Sequence, residues 1–336
     1  MAYPYSSSHS VLSGLDQVTK FYVRNLLENG KAWLVHFFPL QTVNVEQGKD
    51  KIAKFKRYAA FSLATTPLTE GTTPDGQAMT ASTIYATLAQ YGDFTTVTDV
   101  ASWASEDPQV TTATDLLADQ YGETMETIAA NALNAGTSVR YANGVAARTD
   151  IVTAIAAVDL KVARRVLLNA KGKFFNPLIG GSNRVGTQPI GPSYWIITHT
   201  DALYSYESIS GFVPVHEYPD PKAAANGEVG YVMNFRILMS QLAKKYADGG
   251  GNVGATGLIS TGGVKVDVYT SLCMARDAAG AVKGNPANMK VIVKPIGSAG
   301  AADPLDQRGT VAWKTMQAVK ILNENWLYRV EHGCTA

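Results

Sequence analysis

The chain has 336 residues, is 46% hydrophobic and only 17% charged, and carries a formal net charge of +1. An average soluble domain is about 25% charged, so this surface gives little repulsion between copies and no basic patch of the nucleic-acid-binding kind. The length allows about two domains and a sizeable core.

No apolar run approaches the ~20 residues of a membrane span, and the polar start from Tyr3 to Ser10 has no signal-peptide core. There is no N-x-S/T sequon, and Cys273 and Cys334 form no motif, reading as free thiols of a reducing compartment.

Residues 1–50 read as an N-terminal arm. Leu15, Val18, Phe21, Tyr22, Leu26 and Leu27 make a short amphipathic segment that ends at Gly30, and an apolar piece with Trp33 and Phe38 stops at Pro39. Such an arm cannot bury its own aromatics and needs the body of this chain or another copy. Phe21, Trp33 and Phe38 are therefore candidate intersubunit contacts.

Residues 51–98 read as a long hairpin, with strands over 51–61 and 82–99. The connection is turn chemistry: Pro67, Gly71, Pro74 and Asp75-Gly76. A linkage this long without core-forming residues is unusual inside a compact domain, and a two-stranded hairpin is marginal alone in water. Both features imply a partner, which adds Pro67, Leu68, Glu70, Pro74 and Asp75 at the tip, and Lys54 and Arg57 on the first strand, to the candidate contacts. The cluster Lys49, Lys51, Lys54, Lys56 and Arg57 reads as a solvated strand face or a source of intersubunit ion pairs, ahead of a phosphate site.

The spacing then predicts one helix over 108–136. Asp107 is a suitable N-cap and Pro108 a suitable first residue. Val110, Ala113, Leu116, Leu117, Tyr121, Met125, Ile128, Ala132 and Leu133 recur at helical spacing, with Thr114, Asp115, Asp119, Glu123 and Glu126 opposite. Gly136 is a plausible left-handed stop. The helix would run about 40 Å, the width of a domain, and with Gly122 in its middle it needs packing along its length.

Downstream, Tyr141 to Gly144 is a turn and 153–170 a second helix with Ile155, Val158, Leu160, Val162, Val166 and Leu167 apolar. A glycine- and proline-rich loop spans 180–192. Strands follow at 194–198, 213–218, 228–239, 265–273 and 290–295, with a short helix at 201–208 and a glycine-rich link at 249–263. The closing segment 310–331 has an ambiguous period and ends as a strand through Trp326, Tyr328 and Val330. There is no internal repeat.

Motifs that suggest chemistry fail on context. Gly249 to Gly254 has the spacing G-x-G-x-x-G but follows a polar stretch and leads into more glycine, where a dinucleotide fingerprint needs a strand and a helix. No phosphate-binding G-x-x-x-x-G-K-[ST] and no G-x-S-x-G elbow occurs. His216-Glu217 opens like a zinc helix, but position 220 is Asp, and Pro219 and Pro221 would break the helix. His9, His36, His199, His216 and His332 are scattered. Asp303 and Asp306 beside Arg308 read as a charged turn. The chain thus reads as a non-enzyme without cofactor or metal: an arm, a protruding hairpin, a spine helix and a low-charge body.

Ala64-Thr-Thr-Pro-Leu-Thr-Glu-Gly-Thr-Thr-Pro-Asp-Gly76 resembles the major capsid proteins of tailed phages of the N-four podophage type. So do Leu88 to Phe94 with Thr98-Asp-Val100, Ala132 to Thr137 with Tyr141 to Gly144, and Asp303 to Lys314. The resemblance implies the α+β Hong Kong 97 capsid fold. It places the arm at 1–50, the extended loop at 51–98, the peripheral domain at 99–172 plus 286–336, and the axial domain at 173–285. It implies self-assembly into hexamers and pentamers of an icosahedral virion head, put together in the host cytoplasm. Implied partners are a portal, possible scaffold and decoration proteins, and packaged double-stranded DNA held without sequence-specific binding, and no membrane. The alternatives are an encapsulin-type cargo shell of the same fold and an enzyme using the 249–263 loop.

Overall fold

The computed structural model describes residues 34–46, 50–73, 75–104, 109–180, 187–220, 224–254, 256–285, 289–298 and 303–336. Two sheets and one separate two-stranded ribbon are joined by a single long helix.

The first sheet is organised on the fourteen-residue strand β14 (Arg308–Ile321). Strand β4 (Ala89–Thr98) pairs antiparallel with its residues 308–317. Strand β13 (Lys290–Lys294) covers 310–314, and β12 (Ala279–Asn285) covers 317–321. Strand β1 (Gln41–Glu46), within the stretch read as the arm, adds parallel to β12. The ribbon is β2 (Ile52–Tyr58) against β3 (Ala81–Thr87). The expected strand 82–99 is therefore two strands that change partner at Leu88, whose N–H donates to the Lys51 carbonyl while its side chain packs beneath the ribbon.

The second sheet runs β5 (Val139–Tyr141), β15 (Leu327–His332), β11 (Val268–Met274), β6 (Tyr194–His199), β9 (Phe235–Ser240), β8 (Glu228–Val232) and β7 (Val213–Pro214), with β10 (Lys245–Tyr246) also on β11. Strand β6 is buried at every position but its last, and its first four residues are apolar or aromatic, because both its faces are covered. Tyr194 and Ile196 meet Leu160, Ala163 and Leu167 of helix α3 (Ala157–Asn169) together with Tyr206 of α4 (Leu203–Glu207). Trp195 and Ile197 face a second core with Leu133, Leu238 and Leu272.

The short helix α1 (Asp99–Ala104) precedes the spine helix α2 (Gln109–Asn134), so the predicted 108–136 is realised nearly in full, with Asp107 and Pro108 outside the described residues. Leu117, Ala118 and Met125 pack on Val291, Val311 and Trp313 of the first sheet, and Tyr121 meets Trp313 edge-on at 5.3 Å. Leu133 enters the second sheet's core, so one helix ties both sheets together. Arg329 of β15 donates to the carbonyls of Asn134 and Gly136 and caps its C-terminus. Gly136 is not left-handed. Its role is space: a Cβ there would sit 3.2 Å from Leu327 Cδ2 and 3.4 Å from Ile321 Cδ1.

Other expectations shift locally. The run 228–239 is a hairpin, turned at Met233 and Asn234 with φ of 49° and 69°. The expected strand 213–218 stops after two residues and becomes a 3-10 turn. The helix expected from 153 starts at Ala157, where Asp159 accepts from the Ala156 N–H at 3.4 Å and from Arg140 Nε at 2.9 Å.

Candidate intersubunit surfaces

The polar clusters of the body are structural. Among the described residues no three His, Cys, Asp or Glu side chains gather as metal ligands. Ser271 Oγ lies 2.7 Å from His332 Nε2, a nucleophile-to-base distance, yet both residues are fully buried. Ser271 is also bonded to Tyr206 at 2.8 Å and to Thr198 at 2.9 Å. Burial pushes the His332 imidazole down to about 4, so it is neutral at neutral pH. The thiols Cys273 and Cys334 are free, buried and pushed up by that burial.

The glycine motif answers to packing. A Cβ on Gly250 would stand 2.7 Å from the Ile151 carbonyl, and one on Gly251 2.8 Å from Val152 Cγ1. The backbone there is pressed against 148–152, with the Gly251 N–H donating to Ile151 O at 2.9 Å. Gly250 and Gly251 thus serve a close approach within this chain. Asp303 and Arg308 form the expected charged turn: Asp303 Oδ2 accepts from the Arg308 N–H at 2.8 Å.

The ribbon is different. Its inner face, Ala53, Phe55 and Ala86, packs on Val45, Leu88, Val282 and Ala318. Its outer face, Ile52, Lys54, Lys56, Tyr58 and Tyr85, is open to solvent, with Lys54 Nζ 5.5 Å from the Tyr85 ring. The ladder continues outward through Ala59 N–H to Thr80 O at 3.0 Å. Then Gln77 Oε1 accepts from the Ser62 N–H and Oγ–H, both at 3.0 Å, and Gln77 Nε2 donates to Ser62 O at 3.2 Å. Beyond that clasp the described residues of 63–76 are all exposed, including Pro67, Glu70 and Asp75, while Pro74 lies outside the described residues. Leu63 is 85% and Leu68 79% exposed.

The other candidates divide. Phe21 and Trp33 lie outside the described residues, as does Lys49. Phe38 is half-open but meets Trp195 edge-on at 5.1 Å. Arg57 turns back onto its own chain, its guanidinium 5.8 Å from the Trp326 ring.

Two features were missed. Glu126, placed on the solvent face by its charge, is completely buried. It accepts from the His36 N–H at 3.2 and 3.0 Å, meets His36 Nδ1 at 2.5 Å, and accepts from Ser240 Oγ at 2.8 Å. It pins the root of the arm to the spine helix and to β9. The signal was available: Glu126 falls within the stripe Ala118, Gly122, Met125, Ala129 and Leu133. The second feature is apolar surface at the far end of the first sheet, where Trp103 is 89% and Leu305 75% exposed, near the groove between β4 and α2 lined by Phe94, Ala113 and Leu116. Apolar exposure on this scale marks a surface meant to be covered.

Solved structures share this architecture. The capsid of Ralstonia phage GP4 matches with a TM-score of 0.59 at 10% identity, over 89% of this chain and 91% of that one. The cyanophage Pam1 capsid asymmetric unit matches at 0.57 and 12% identity, over 90% and 93%. The acidic stable capsid of Helicobacter pylori bacteriophage KHP30 matches at 0.58 and 9% identity, over 88% and 90%. Two sheets strung on one spine helix, with a ribbon packed by one face on the first of them, are thus the Hong Kong 97 fold. Residues 80–330 match the family model described as phage capsid protein, and the chain belongs to that family. It is a structural protein of the virion, a major capsid protein that self-assembles into a phage head. No curated protein matches the chain.

Proposed function

We propose that this subunit closes its shell by spreading adhesion over the ribbon, the arm and the apolar end of the first sheet, as pentamers and hexamers of an icosahedral head. The observation that carries this is the uncovered loop tip, with Leu63 and Leu68 in solvent beyond the Ser62–Gln77 clasp. A single copy gains nothing from holding such a limb out, and large shared interfaces suit a container better than one strong bond. Replacing residues 63–76 by a two-residue Asn-Gly turn tests it. The shortened chain should melt like the parent and form no shells by sedimentation and electron microscopy; normal shells would refute the reading.

The division into domains follows the sheets: the first sheet with α2 as the peripheral domain, the second with α3 and α4 as the axial domain. In place of the 285/286 boundary, β12 goes with the peripheral part and β15 with the axial part. A portal at one vertex, scaffold and decoration proteins, and assembly in the host cytoplasm complete the scheme. The near-neutral chain faces packaged double-stranded DNA with little grip, which eases filling and ejection. Strong, salt-sensitive DNA retention by purified shells would count against that.

A further inference from the structure

Charge is segregated along this chain. Residues 58–139 hold ten acidic side chains and no lysine, arginine or histidine, while residues 160–200 hold six lysines and arginines and no acid. Helix α2 lies in the first run and most of α3 in the second, and each helix buries one side and exposes a narrow line of residues on the other.

On α2 the exposed residues are Thr112, Leu116, Asp119, Glu123, Thr127 and Asn131, three or four apart and so in one line along the helix. Lys244 Nζ donates to Asn131 Oδ1 at 3.3 Å, which leaves the line open between Leu116 and Thr127. On α3 they are Val158, Lys161, Arg165, Leu168 and Asn169, while Leu160, Ala163 and Leu167 face the core. Among the described residues Asp119, Glu123, Lys161 and Arg165 enter no ion pair within the chain.

The two lines match when the helices run antiparallel. Leu116, Asp119 and Glu123 stand at i, i+3 and i+7, and Leu168, Arg165 and Lys161 stand at the same intervals read backwards. Leu116 then meets Leu168, Asp119 meets Arg165, Glu123 meets Lys161, and Val158 reaches the Thr127 methyl. The two charges on each helix are four residues apart, about 6 Å of rise on both sides. The same alignment sets the negative C-terminal end of α3 beside the positive N-terminal end of α2. The complementarity carries on in the sequence, where Lys171 and Lys173 follow α3 and Glu106 and Asp107 precede α2.

We infer that α3 of one copy packs antiparallel along the outer line of α2 of a second copy, with Arg165 against Asp119, Lys161 against Glu123, and Leu168 against Leu116. The inference rests on the shell-forming reading above and adds to it a helix-to-helix contact that uses neither the ribbon nor the arm. The contact is heterologous: each copy offers cationic α3 to one neighbour and acidic α2 to the other, so it propagates round a ring and closes.

Charge reversal tests it on the full chain. Lys161→Glu with Arg165→Glu should lower the yield of shells about tenfold, and Asp119→Lys with Glu123→Lys should do the same, because like charges then face each other across the contact. All four reversals together should restore the yield to within about twofold, because each copy again carries complementary faces. In a parallel arm, Asp119→Cys with Arg165→Cys should give disulfide-linked multimers from oxidised particles. Either cysteine alone should give none, since the native Cys273 and Cys334 are buried.

Four results overturn the inference. One is a quadruple variant that melts like the parent but stays unassembled. Another is rescue of the Lys161/Arg165 reversal by Glu207→Lys instead, which moves the contact to the exposed side of α4. A third is unchanged shell yield with loss of retained DNA after the Lys161/Arg165 reversal, which assigns the cations to DNA. The last is absence of linked multimers from assembled double-cysteine particles. If the parent chain itself makes no shells, the shell-forming reading falls first and this contact falls with it.

Discussion

Removing the carboxylate of Glu126 should loosen the body of the subunit more than any other single polar change. Glu126 is fully buried and is the common acceptor for the His36 backbone N–H, the His36 ring and the Ser240 hydroxyl. A hydrogen bond to a charged group is worth about 1.5–3 kcal/mol, and a buried donor left without its acceptor costs about 1–3 kcal/mol. Glu126→Ala strands at least two such donors and opens a gap in the α2 packing, for a loss of about 3–5 kcal/mol. That is a large share of the ~5–15 kcal/mol that holds an ordinary domain folded. Glu126→Gln keeps one carbonyl oxygen in place and should lose about half as much. Urea denaturation of the unassembled chain measures the difference as a shift in midpoint at constant slope. Limited proteolysis reports the same event locally, since the segment after residue 34 loses its anchor and should be cut first. A Glu126→Ala midpoint within about 0.5 kcal/mol of the parent would refute the reasoning.

Acid should weaken the fold through His332. Its folded pKa is about 4, lowered by desolvation from an ordinary 6.5, so the unfolded chain takes up the proton first. Stability from this residue is complete above pH 6.5 and is lost as pH falls toward 4, to a total of about 3 kcal/mol. His332→Asn should flatten the fall in melting temperature over that window, and an unchanged slope would contradict it. Gly250→Ala should destabilise by about 1–3 kcal/mol, because its Cβ meets the Ile151 and Val266 carbonyls at 2.7 and 3.0 Å. Gly76→Ala, with nothing within 4 Å, should leave the melting temperature unchanged. Leu63→Ser with Leu68→Ser should keep the subunit's melting temperature and cut its assembly yield, since both side chains are largely exposed in the single chain.

What could be read from sequence follows from where the fold is decided. The spine helix was legible because Leu117, Tyr121, Met125 and Leu133 repeat at 3.6-residue spacing against two cores. Strand β6 was legible because burial on both faces leaves an unbroken apolar run. Strand β12 was not. Ala279-Gly-Ala-Val-Lys-Gly-Asn285 has little strand propensity, and its small residues are there because Phe55 of the ribbon and Met316 of β14 lie against them, with a Gly280 Cβ only 3.0 Å from Phe55 Cζ. Glu126 was misplaced because helical periodicity sorts by polarity, whereas its partners, His36 and Ser240, come from 90 and 114 residues away. The protruding ribbon was visible as turn chemistry without core residues, but the division of the second strand at Leu88 depends on β14, more than 200 residues further along.

A reconstruction of assembled particles, read at residues 59–80, bears most directly on the need for many copies. The expected result is that Leu63 and Leu68 are buried against a neighbouring subunit. Ribbons folded back on their own chains, with closed shells held together entirely elsewhere, would contradict it.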